Sequence, residues 1–190
     1  MRTLGSVEAQ DRIGSCSGSC GCGQTCGHED TAPVLVLAIG NPLMADDGAG
    51  QEILSQLESA GESWGSRVEF VDGGTQGLAL LGKFEGREAV VFLDAVRLGH
   101  VPGSIHVLDG KEVLRMGRRP GNSAHEGSAP DILRALELLG ETPSNVMLIG
   151  IEPSRIETSM GLSTKVRENI GLAASFARAT VGRLLLNVAQ

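Results

Sequence analysis

Five short apolar runs, each bounded by turn residues or a helical pattern, govern what this chain can become. They are PVLVLAIG at 33–40, VEFVD at 68–72, AVVFLDAV at 89–96, SIHVLD at 104–109 and NVMLIGI at 145–151. Runs that are nearly continuous, rather than strictly alternating, mark strands buried on both faces. Helical patterns at 47–60, 128–140 and from 163 to 187 supply the covering layers, with Ser128 and Ser163 in N-cap positions. LALLGKF at 78–84 adds a short helix after a GGTQG turn. The segment 96–110 has turn residues at both ends of a strand and no connecting helix, so that strand is expected to pair antiparallel with its predecessor. The fold class is α/β, a sheet covered on both faces.

Residues 1–31 are different in kind. They are polar, rich in Gly and Ser, and without periodicity, so they read as a Cys/Gly-rich N-terminal extension to a folded domain over 32–190. A chain of 190 residues suits one domain with such an appendage. With 41% of residues hydrophobic, a wholly unfolded regulator is excluded.

Charge narrows the partners. Sixteen basic against 23 acidic residues leave a net charge of -7, and no basic stripe is long enough to track a phosphate backbone. Four Phe, one Trp and no Tyr leave little to stack on bases, so neither nucleic acid nor an anionic membrane surface is an expected partner. No apolar run approaches the ~20 residues that cross a bilayer. The first fifteen residues contain no continuous apolar segment, so the expectation is a cytoplasmic protein without membrane insertion. All four cysteines lie in the extension, which removes a cysteine nucleophile from the folded domain.

In an open α/β sheet, ligands collect at the carboxyl ends of the strands. The residues falling there are Gly40 to Gly48 after the first run, Asp72 to Gly77 after the second, Asp94 at the end of the third and Glu152 after the fifth. His125 lies in the polar loop RRPGNSAHEGS just before a helix. AIGNPLMADDG is not a dinucleotide fingerprint: the spacing is not G-x-G-x-x-G, and Asp46 and Asp47 occupy the helix start where a pyrophosphate would bind. A lone Asp pair at a helix start is ordinarily a cap and a solvated neighbour. A carboxylate ending an apolar strand, as Asp94 does, is costly to desolvate without a partner or a task. Two carboxylates and an imidazole at one sheet edge suit a borderline divalent cation such as zinc, nickel or manganese. No nucleophile elbow is present. Asp47 and Asp94, from separate segments, could form an aspartic dyad, a reading that stands second to a metal-centred site.

Together these segments resemble the nickel–iron hydrogenase maturation endopeptidases. The matching stretches are AIGNPLMADDGAG, VEFVDGGTQGLALLG, VVFLDAV with the following PGSI, HEGSAPDILRAL, and LIGIEP followed by GLS, spanning about residues 33–170 in the family's order. The resemblance implies a three-layer sandwich whose twisted, mostly parallel five-stranded sheet is flanked by helices. It implies Asp47, Asp94 and His125 as both metal ligands and candidate catalytic groups. Family members carry Glu or Asp at the first position, and the shorter arm of Asp47 draws that carboxylate inward, where Asp46 could orient the site or help ligate. The implied task is to sense nickel already inserted in a hydrogenase large-subunit precursor and to remove its C-terminal extension, with nickel carried by the substrate. The rival reading is a non-catalytic nickel-handling or chaperone protein for hydrogenase assembly.

Three further features have two readings each. DGGTQG is either a turn or, on the resemblance, a cleft lining that includes Thr75. Glu152 either hydrogen-bonds an incoming backbone or is a solvated loop carboxylate. Arg115, Arg118 and Arg119 are left outside the site as a solvated charge run. The extension departs from the family. Its run Cys16-x3-Cys20-x-Cys22-x3-Cys26-x-His28 could hold zinc or an iron–sulfur cluster, could remain a tail without a fixed ligand, or could form disulfides, which a reducing cytoplasm disfavours.

Overall fold

A computed structural model describes residues 31–59, 64–116 and 127–188. Its five strands are β1 (Val34–Ile39), β2 (Val68–Gly74), β3 (Ala89–Ala95), β4 (Ile105–Asp109) and β5 (Asn145–Ile151). They form one sheet in the order β2-β1-β3-β5-β4. The β1/β2, β1/β3 and β3/β5 pairs are parallel, and β4 runs antiparallel to β5. The antiparallel strand is the one singled out in the sequence, but its neighbour is β5 rather than β3. Strand β5 takes the place beside β3, and β4 closes the far edge.

Four α-helices complete the described chain: α1 (Ala49–Ser59), α2 (Gly110–Met116), α3 (Ala129–Leu139) and α4 (Thr164–Val188). The expected helix at 78–84 is a 3-10 turn over Gly77–Phe84. Helix α2 was not expected, although its start carries a local signal. Asp109 and Glu112 form a reciprocal capping box, each carboxylate accepting the other's backbone N–H at 2.9 Å. Neither expected serine cap takes the usual form. The Ser128 hydroxyl donates to Asp131 at 2.7 Å, and that of Ser163 donates to Asp46.

Strand residues alternate between two cores. Val34, Val36, Val91, Leu93 and Ile149 face α1 and α4, while Leu35, Leu37, Val90, Phe92 and Leu148 face α2, α3 and the 77–84 turn. The result is the expected three-layer sandwich. Helix α1 docks through Ile53, Leu54 and Leu57, spaced to share one face, and full burial of a side chain such as Ile53 contributes about 2 kcal/mol. Among the described residues, no helix is long and apolar enough to cross a membrane.

The chain leaves β1 toward β2 on one side and returns to β3 on the other, so the order reverses between β1 and β3. Their carboxyl ends flank the crevice where α/β sheets bind ligands.

Candidate functional site

The loop after β1 is pressed tightly against the ends of the strands. Helix α1 begins so close to the sheet that a Cβ on Gly50 would lie 2.4 Å from the Leu93 carbonyl oxygen and 2.6 Å from that of Ile39. Gly40, at φ +131°, passes so near the Asp47 carbonyl that a Cβ there would lie 2.0 Å from it. These two glycines let a 3-10 turn, Ala45–Gly48, sit directly over β1 and β3. Both Asp46 and Asp47 are in that turn.

The two adjacent carboxylates face different surroundings. Asp46 is fully buried, and its oxygens accept four hydrogen bonds: from the backbone N–H groups of Ser154 (2.8 Å), Arg155 (3.0 Å) and Ser163 (2.6 Å), and from the Ser163 hydroxyl (2.8 Å). Burial alone would raise its pKa, but these bonds from Ser163, Arg155 and Ser154 outweigh it and hold the carboxyl below its usual range. Its acceptor capacity is committed to the β5–α4 loop, so Asp46 is an anchor and not a ready ligand. Asp47 accepts the Asn41 N–H at 2.8 Å and lies close enough to Asp94 for its charge to be felt there.

Asp94 occupies the end of β3, 7% exposed. Burial first, and then the negative charge of Asp47, push its pKa well above the usual carboxylate range, against one favourable hydrogen bond from the Ala95 N–H. The charged form of Asp94 is therefore disfavoured where it stands. The structure thus brings Asp47 and Asp94 together at the β1/β3 crevice.

His125 lies outside the described residues, as do Cys16, Cys20, Cys22, Cys26 and His28. Gly127, two residues beyond His125, packs on the DGGTQG loop: a Cβ on it would meet the Gly77 Cα at 2.3 Å. Among the described residues, no three His, Cys, Asp or Glu side chains gather in a way that could hold a metal ion. A metal ion at the Asp47/Asp94 pair would need a further donor.

Glu152 fits neither expectation. It is 4% exposed and accepts the backbone N–H groups of Leu98 and Gly99, while the His106 Nε2 lies 3.2 Å from its Oε2. Burial raises its pKa, but the bonds from Leu98, Gly99, His100 and His106 more than offset this. Glu152 ties the β3–β4 loop to the end of β5. In DGGTQG the first three residues end β2, where Asp72 accepts the Gly74 N–H at 3.0 Å, and Thr75 is exposed in the turn that follows. Sequence reasoning missed Gln51, whose amide donates to the Gly40 carbonyl (2.9 Å) and to Asp72 (3.2 Å), joining the first two loops. Its place one helical turn after Asp47 was the available signal.

Comparison with known proteins adds an independent line. The family profile described as hydrogenase maturation protease, HycI, matches residues 52–179. The hydrogenase expression/formation protein HupD of Thiocapsa roseopersicina is 33% identical over 147 residues, covering 76% of this chain and 65% of that protein. The hydrogenase 2 maturation protease of Escherichia coli is 34% identical over 138 residues, covering 72% and 83%. The solved structure of the hydrogenase maturating endopeptidase HybD from E. coli superposes with a TM-score of 0.71 at 31% identity, covering 79% of this chain and 92% of that one. The match thus spans just under two thirds of the Thiocapsa relative and most of both E. coli proteins.

Proposed function

The chain belongs to the hydrogenase maturation protease family, and from that premise we propose that it is an endopeptidase acting on a nickel-loaded nickel–iron hydrogenase large-subunit precursor. It removes the precursor's C-terminal extension and so allows maturation. The observation that carries this reading is the pairing of Asp47 and Asp94 at the β1/β3 switch point, with Asp94 buried beside a like charge.

Chemically, the pair is prepared for a cation. Burial and the neighbouring charge of Asp47 disfavour the charged form of Asp94, and a divalent ion beside the pair would favour both carboxylates as anionic oxygen donors. Two carboxylates and the imidazole of His125 fit nickel that the substrate brings with its own ligands. Such an ion supplies Lewis-acid polarisation of the scissile carbonyl or of an attacking water. The chain's own part is to hold the ion at Asp47 and Asp94 and to move the proton, released from Asp94 or taken up by His125, toward the leaving amine. In the aspartic-type alternative, Asp47 and Asp94 share one proton and activate water between them.

Incubating purified precursor with this protein, with and without nickel, and reading its mass tests the proposal. Loss of a C-terminal peptide only from the nickel-loaded precursor is the expected result. Nickel passing between the two proteins without cleavage overturns it in favour of metal handling. If cleavage occurs, a nickel-free precursor cut at the same rate selects the aspartic type.

We further propose that Cys16, Cys20, Cys22 and Cys26, with His28, bind zinc or an iron–sulfur cluster. The support is four thiols within eleven residues, spaced by Gly and Ser, beside an imidazole. Metal analysis of the full chain against a variant with all four cysteines changed to serine checks it, equal metal content being the adverse outcome.

A further inference from the structure

Asp46 does more than fill a buried position. Its turn opens with Ala45, the one non-glycine residue at positive φ among those described (+52°), a backbone strained for an L side chain. Such strain persists only where the surroundings over-determine it. Here the surroundings are the β5–α4 loop, which grips the turn along its length. The Ala45 N–H donates to the Ser159 carbonyl at 2.7 Å, the Asp46 N–H to that of Arg155 at 3.3 Å, and the Ser159 N–H to that of Leu43 at 3.0 Å. The Asp46 carboxylate completes the grip by collecting the donors of Ser154, Arg155 and Ser163, the last directly before α4.

The next residue is Asp47. One peptide unit separates a carboxylate clamped to the β5–α4 loop from one that faces Asn41 and Asp94. Rotating the turn to release the first would turn the second away from Asp94. We infer that Asp46 is a positioning residue: its hydrogen-bonded carboxylate locks the strained Ala45–Gly48 turn to the β5–α4 loop and so aims the Asp47 carboxylate at the Asp94 crevice. The device couples the loop after β5 to a site built on β1 and β3, and the inference rests on the proteolytic reading above. It also accounts for an acidic residue here that cannot itself spare an oxygen for a metal.

The test is single-turnover cleavage of nickel-loaded precursor by the full-length protein, its Asp46→Asn and Ser163→Ala variants, and the same changes combined with Asp47→Asn. Asp46→Asn keeps the shape but turns one acceptor into a donor facing an N–H. It is expected to lower the cleavage rate at least tenfold with precursor affinity within twofold of wild type. Ser163→Ala removes only the hydroxyl bond, retains the fold, and is expected to lower the rate threefold or more. Because Asp46 acts through Asp47, neither change should lower the residual rate further once Asp47 is Asn. Rates for Asp46→Asn and Ser163→Ala within twofold of wild type overturn the inference while leaving the protease reading intact. So do losses that multiply with that of Asp47→Asn, or a fall in affinity equal to the fall in rate. Absence of cleavage by the wild-type protein overturns both.

Discussion

Asp46 and Glu152, in the loops after β1 and β5, and Asp94, at the end of β3 between them, all have little exposed surface, yet the pKa is lowered in the first two and raised in the third. Each of the first two has its charge surrounded by four donors from loops that would otherwise be untied. Asp94 has the Ala95 N–H for it and the charge of Asp47 against it. A small exposed surface alone is therefore a poor guide to what a carboxylate does. The number and sign of the groups facing it separate an acid that holds the fold together from one whose charged form is disfavoured.

The comparison can be broken most directly at Asp94. Asp94→Asn should slow precursor cleavage by about 10²- to 10⁴-fold, the usual contribution of a group that moves a proton or binds the reacting centre. Its urea midpoint should match or exceed that of wild type, because a neutral amide replaces an acid whose charged form is disfavoured where it stands. A loss of stability would place Asp94 with the anchoring acids. Glu152→Ala should do the reverse, destabilising the fold by about 3 kcal/mol through the backbone N–H groups it strands, as measured by urea unfolding.

Gly50→Ala tests the platform that both classes share. A methyl group 2.4 Å from the Leu93 oxygen must lift α1, at a cost of about 1–3 kcal/mol, with a parallel fall in cleavage rate. The pH dependence of stability sharpens the contrast further. Asp46 and Glu152, held below their usual range, add stability that is present above about pH 4 and is lost as pH falls through their folded values. Asp94, held above its usual range, works in the opposite sense: its folded form keeps a proton that the unfolded chain gives up, so stability declines as pH rises from about 4 toward the folded value. The urea midpoint of Asp94→Asn should consequently pull ahead of wild type as pH rises above about 4, and a constant gap would contradict the assignment. The smallest effect belongs to the exposed Arg155–Glu157 pair, 2.9 Å apart in solvent, where Arg155→Ala should change stability by no more than about 0.5 kcal/mol.

Much of this architecture could be read from local pattern. The five apolar runs became strands within one or two residues of their expected limits, the central β1 and β3 as continuous buried runs and the edge strands β2 and β4 with polar, partly exposed positions among apolar ones. The three long helices followed their apolar spacing. Pairing was less legible. β4 was expected beside β3, since adjacency in sequence was the available guide, and it lies beside β5 because that strand had the open edge. Helix α2 escaped notice because seven residues give too few turns for periodicity, although the Asp109/Glu112 box was present in the sequence.

At the site, chemical identity and rough location were legible, since Asp47 follows the first apolar run and Asp94 lies near the end of the third, at the same edge of the sheet. Roles were not. Asp46 and Asp47 are identical in type and adjacent, and Glu152 resembles any acid after a strand. What the sequence determined by itself was the alternation of buried strands and amphipathic helices, a property of each segment's own residues and their periods. What only the tertiary structure decided was which carboxylate meets donors and which meets another charge. Those neighbours arrive from segments more than forty residues away, and the energy of a buried charge is set by what surrounds it rather than by what precedes it in the chain.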